Sequence, residues 1–128
     1  MSGGPVVSVV DDDESVRESL PDLLREFGFS VQAFSSAEDF LNSGWVCLTE
    51  CLVLDVVMPG MTGPGLQQEL RRRRQTIPII FMTAHENDNI RSRALECGAV
   101  ACLSKPFSPT ELFDALTVAL RTKEPGGS

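Results

Sequence analysis

The apolar positions along this chain fall into five short runs, separated by stretches in which they recur at helical spacing. Val6-Val7-Ser8-Val9-Val10 is a β-branched run and predicts a strand. Segment 29–34 alternates more and predicts a second strand, nearer a sheet edge. Cys51-Leu52-Val53-Leu54-Asp55 and the segment 77–83 are almost continuously apolar, as strands covered on both faces are, and the segment 99–104 predicts the last strand.

The intervening stretches predict helices. Val16, Leu20, Leu23, Leu24 and Phe27 form a stripe behind Ser15 and Glu18, which are spaced as a capping box, and Gly28 closes the helix. Pro21 lies inside this helix and predicts a kink or a loosened first turn. Ser35 and Glu38 repeat the capping spacing ahead of Phe40 and Leu41. Thr62 caps a third helix, which tolerates Pro64 in its first turn and runs toward Arg71-Arg72-Arg73-Arg74. Segment 86–96 predicts a fourth helix with a weak apolar face, Ile90, Ala94 and Leu95 with Cys97. Ser108-Pro109-Thr110-Glu111 starts a fifth, with Leu112, Phe113, Leu116, Ala119 and Leu120 turned inward. Strict β-α alternation predicts an α/β fold, a parallel sheet with helices on both faces, and 128 residues suit one domain.

Four strand ends carry polar groups: Asp11 and Asp12 after the first, Asp55 at the end of the third, Thr83 at the end of the fourth and Lys105 past the fifth. A parallel sheet brings all four to one edge, where open α/β sheets bind ligands. Three neighbouring carboxylates repel unless a cation joins them, and all-oxygen ligands suit Mg²⁺ better than zinc. A lysine and a hydroxyl beside them suit a phosphoryl group, which makes one carboxylate a candidate nucleophile.

The net charge of −7 argues against direct nucleic-acid binding by this chain. No apolar run approaches the roughly 20 residues of a membrane span, and the start of the chain lacks the features of a signal peptide. Cys47, Cys51, Cys97 and Cys102 match no zinc spacing, and reduced thiols point to a cytoplasmic protein. Arg71 to Arg74 reads as a solvated helix C-terminus, where cations are favourable, rather than as a phosphate site.

The set Val9-Val10-Asp11-Asp12-Asp13, Leu54-Asp55-Val56-Val57-Met58-Pro59-Gly60-Met61-Thr62-Gly63, Met82-Thr83-Ala84 and Ser104-Lys105-Pro106-Phe107 resembles the receiver domain of two-component response regulators. Val16-Arg17-Glu18-Ser19-Leu20 and Ser36-Ala37-Glu38-Asp39-Phe40-Leu41 are most similar to the FixJ-like group that precedes a LuxR-type helix-turn-helix. The resemblance implies a flavodoxin-like (βα)5 three-layer sandwich with strand order 2-1-3-4-5. It implies a receiver domain over residues 6–121, with flexible ends at 1–5 and 122–128, the latter the start of a linker to an output domain.

The resemblance also implies roles. Asp55 accepts a phosphoryl group from a sensor histidine kinase. Asp12, Asp55 and the Val57 carbonyl hold Mg²⁺, with Asp11 acting largely through water. Thr83 contacts the phosphoryl group, Lys105 pairs with it and beforehand with Asp55, and a cis peptide bond precedes Pro106. Such a protein is no enzyme but a phosphoacceptor that catalyses its own phosphorylation and dephosphorylation. It switches the face made by the fourth helix, fifth strand and fifth helix, through which it forms a homodimer and controls an output, in this group transcription.

Three positions depart from the family pattern or tune it. Cys102 stands where receivers carry Tyr or Phe, so the usual aromatic switch is absent or altered. Val57 and His85 occupy positions that govern loss of the phosphoryl group. The alternative signalling reading is a pseudo-receiver that docks partners without being phosphorylated. A haloacid-dehalogenase-like phosphatase fits poorly, because Val57 stands where its second acid belongs. A flavin-binding protein fits poorly too, because four acids follow the first strand.

Overall fold

The computed structural model describes residues 4–56, 60–83, 92, 96 and 98–123. Five strands, β1 (Val6–Val10), β2 (Ser30–Phe34), β3 (Cys51–Asp55), β4 (Ile79–Thr83) and β5 (Ala101–Ser104), form one sheet. Every neighbouring pair is parallel, and the order is β2-β1-β3-β4-β5. Helices α1 (Glu14–Glu26), α2 (Ala37–Asn42), α3 (Gly63–Arg72) and a C-terminal helix (Pro109–Lys123) flank it. This is the flavodoxin-like arrangement that the alternation and the resemblance lead one to expect. Of the predicted fourth helix, only 92 and 96 are among the described residues, and both are helical.

The period-two geometry of strands splits the core into two layers. Leu52, Leu54, Ile79 and Phe81 point to the face covered by Ala37 and Phe40 of α2 and Leu66 and Leu70 of α3. Val7, Val9, Val53, Ile80 and Met82 point to the other, against Leu20 and Leu24 of α1 and Leu112 and Leu116 of the C-terminal helix. Each buried Leu, Ile or Phe contributes about 1.5–3 kcal/mol by leaving water. Burial on both faces is what makes β3 and β4 read as apolar runs, while β1 tolerates buried Ser8 because its hydroxyl pairs with that of Thr49 at 2.6 Å.

Local details correct several sequence boundaries. Asp13, not Ser15, is the N-cap of α1, and its side chain accepts from the Ser15 amide at 2.9 Å. Ser36, not Ser35, caps α2 and accepts from the Asp39 amide at 3.0 Å. In both places several cap-forming residues stand side by side, and spacing alone does not choose between them. α1 runs through Pro21, whose ring is buried, so tertiary burial offsets the lost backbone bond. Phe113 is 43% exposed rather than inward, at the margin of its helix's apolar stripe. Thr62 caps α3 as its position predicts, accepting from the Gly65 amide at 3.1 Å. Ser108 and Glu111 close a reciprocal capping box on the C-terminal helix.

Candidate functional site at the carboxyl edge of the sheet

Parallel strands all end at the same edge, and there Asp11, Asp12, Asp55, Thr83 and Lys105 converge. β1 delivers Asp11, which is fully buried, and Asp12, which is exposed. The Asp11 amide donates to the Phe34 carbonyl at 3.1 Å, which continues the β1–β2 ladder one residue past the strand. Its Oδ1 accepts from the Asp13 amide at 2.9 Å, and its carbonyl accepts from the Arg17 guanidinium at 3.0 Å. The residue is therefore held through both its backbone and its carboxylate.

β3 delivers Asp55, 7% exposed. Behind it, the Val56 carbonyl accepts from the Gly63 amide at 3.1 Å, so α3 begins directly under the acceptor strand. A Cβ at Gly63 would lie 2.6 Å from the Asp55 carbonyl oxygen and 2.9 Å from a Phe81 ring carbon, so only glycine allows this approach. Gly60 adopts φ 76°, and the Met61 amide beside it donates to Glu38 Oε2 at 3.3 Å, tying α2 to the loop after Asp55.

β4 and β5 supply the remaining groups. Thr83 is buried, and its carbonyl accepts from the Lys105 amide at 2.8 Å. The Lys105 ammonium donates to Asp11 Oδ2 at 3.0 Å and stands 3.9 Å from Asp55 Oδ2. The Lys105–Pro106 peptide bond is cis. One carboxylate oxygen from each of Asp11, Asp12 and Asp55 can be chosen so that all three lie within 4.8 Å of one another. The structure thus brings together Asp11, Asp12, Asp55 and Lys105, with Thr83 tied to Lys105 through its backbone carbonyl. Val57 and His85 lie outside the described residues. Cys102 is buried in the layer under α2 and α3.

An acidic, all-oxygen pocket with one ammonium at its rim can hold a small hard dication and present an anionic group to Lys105 and Thr83. Comparison with known proteins decides which family uses it. The sequence model described as "Response regulator receiver domain" matches residues 7–117. The chain belongs to this family. Nodulation protein W of Bradyrhizobium diazoefficiens is 48% identical over 114 residues, 89% of this chain and 50% of that protein. Response regulator protein TodT of Pseudomonas putida is 41% identical over 116 residues, 91% of this chain and 51% of that protein. The crystal structure of FixJ-N superposes with a TM-score of 0.83 at 35% identity, covering 92% of this chain and 94% of that one. The receiver chain spans about half the length of the curated relatives it matches here.

Sequence reasoning missed three contributors to this receiver site. Arg17, the first cation after the acidic run, anchors the Asp11 backbone. Glu38 holds the loop after Asp55. Gly63 makes room for the Asp55 carbonyl. Each acts across elements, and only Gly63, a glycine at a helix start, left a local signal.

Proposed function

We propose that this receiver accepts a phosphoryl group on Asp55 from a phosphohistidine of a sensor kinase. The observation that carries the reading is the Lys105 ammonium poised beside two buried carboxylates, Asp11 and Asp55, at the mouth of a parallel sheet. An Asp55 oxygen attacks phosphorus in line. The bond from phosphorus to the kinase imidazole nitrogen breaks, and its electron pair stays on that nitrogen. Lys105 neutralises the phosphoryl oxygens, and the Thr83 hydroxyl donates to one of them, so positioning and charge do most of the work.

The carboxylates of Asp11, Asp12 and Asp55, with the Val57 carbonyl, would hold Mg²⁺, and among the described residues the donor set fits it: three carboxylates offering hard oxygens, with exposed Asp12 on the side open to water. Bound there, the ion supplies charge neutralisation to the transferring group. A groove of about 370 Å³ beside Lys105, lined by Val16, Leu20 and Leu23 of α1 and by Pro106 and Phe107, gives the donor protein an apolar seat within reach of Asp55. The added charge of about −1.5 to −2 then biases the far side of β5. We place the receiver at residues 6–121, in a cytoplasmic regulator of transcription. Dimerisation uses the face around β5 and the C-terminal helix. Cys102 replaces the aromatic switch, while Val57 and His85 set the lifetime of the phosphoryl group.

The test is intact mass after incubation with phosphoramidate and Mg²⁺, on this chain and on Asp55→Asn. One phosphoryl group, lost with chelator or with the substitution, supports the reading. No added mass in a folded sample overturns it in favour of docking without phosphorylation.

A further inference from the structure

The largest run of cations in the chain lies away from the site just described. Four of its eleven lysines and arginines are Arg71 to Arg74, at the end of α3. Glu69 accounts for two of them, because its carboxylate accepts from Arg72 and, at 2.7 Å, from Arg73 Nε. Arg71 and Arg74 line a cavity of about 450 Å³ at the amino edge of the sheet, where β4 and β5 begin. Gln75 and Thr76 add polar groups to its wall, and Leu70, Ile77 and Val100 give it an apolar floor.

Arg74 is unusual in two respects. Its φ is 62°, and it is the only non-glycine residue in the left-handed region among those described. The Gln75 amide donates to the Leu70 carbonyl at 2.8 Å, which closes the helix as a C-terminal glycine does. Glycine would close it without steric cost, so helix closure alone gives no reason for an arginine there. Among the described residues Arg74 also joins no ion pair, in a chain with net charge −7.

We propose that this cavity is a second ligand site and takes a small organic anion. A carboxylate or phosphonate-like head lies between Arg71 and Arg74, and an apolar body rests on Leu70, Ile77 and Val100. The negative end of the α3 dipole opposes an anion here, which is why two guanidiniums are needed. Thr83 lies four residue steps along β4 from Ile79 on the cavity wall, about 13 Å at roughly 3.3 Å per step. The ligand therefore does not compete for the Asp55 site, and the proposal is independent of phosphorylation.

The experiment is a titration of the ¹⁵N-labelled chain with phenylphosphonate, and separately with inorganic phosphate, read by amide chemical shifts. Saturable shifts at Gln75, Thr76 and Val100 are expected, with phosphate about tenfold weaker for want of an apolar body. Arg74→Gln weakens phenylphosphonate by about tenfold or more, and Arg72→Gln leaves it unchanged. Arg74→Gly raises the Tm while abolishing binding, which a purely structural arginine would not do. Absence of saturation, shifts confined to Thr83 and Lys105, or unchanged affinity in Arg74→Gly overturns the proposal. Equal affinity for phosphate overturns the organic class.

Discussion

The Lys105 ammonium is closer to Asp11 than to Asp55, 3.0 Å against 3.9 Å. Asp11 is the fully buried carboxylate of the cluster, so its charge most needs a counterion. Lys105→Met leaves it with one backbone N–H. The expected loss of stability in chelator is about 1–3 kcal/mol by urea denaturation. Added Mg²⁺ recovers a larger share in the variant than in the parent, because it neutralises the same oxygens. Equal midpoints for the two proteins in chelator would refute this role.

Gly63 fixes where the acceptor strand meets α3. Gly63→Ala drives a methyl group into the Asp55 carbonyl and the Phe81 ring, at an expected cost of about 1–3 kcal/mol. Because the shift falls on Asp55 itself, phosphoramidate labelling slows as well. Gly44→Ala is the matched control, since nothing lies within 4 Å of its Cβ. A thermal melt that cannot tell Gly63→Ala from Gly44→Ala removes the argument.

Burial pushes the Cys51 thiol up to about 12. The folded chain therefore keeps a proton there that the unfolded chain loses near pH 9, the ordinary thiol value. Stability from this group is full below that pH and falls as pH rises toward about 12. Cys51→Ala flattens this alkaline slope. In native protein at neutral pH, iodoacetamide modifies exposed Cys47 and spares buried Cys51 and Cys102. Rapid labelling of Cys51, read by peptide mass, contradicts its placement in β3.

Glu69 is displaced the other way. Hydrogen bonds from Arg72, then from Arg73, hold its carboxyl down at about 2. Its contribution is present above the ordinary carboxylate value of about 4.5 and lost as pH falls through about 2. Glu69→Gln removes that part of the acid dependence, and the difference between the proteins shrinks in ~1 M salt, as for any solvent-facing pair. Superimposable acid denaturation curves at low salt count against the clamp.

The chain announces its fold openly because β1, β3 and β4 are covered on both faces and are apolar except for Ser8 and the terminal Asp55 and Thr83. Asp11, Asp55, Thr83 and Lys105 were legible for a related reason. A polar residue ending such a run has nowhere to be except the edge, and parallel strands share that edge. What was hidden depends on distances between elements. Nothing local tells Lys105 to prefer Asp11, brings Arg17 back to the Asp11 carbonyl or shows that Gly63 meets Asp55. The arginine run was legible only as a charged helix end. That Arg72 and Arg73 bond Glu69 while Arg71 and Arg74 line a cavity shows only in the folded chain.

Lys105 has one further consequence. Its amide holds the end of β4 through Thr83, while its ammonium reaches Asp11 past β1 and Asp55 at the end of β3. A single residue thus stitches four of the five strand ends. Amides along this edge exchange with solvent through one shared opening rather than by separate fraying, so the acceptor pocket is either whole or lost.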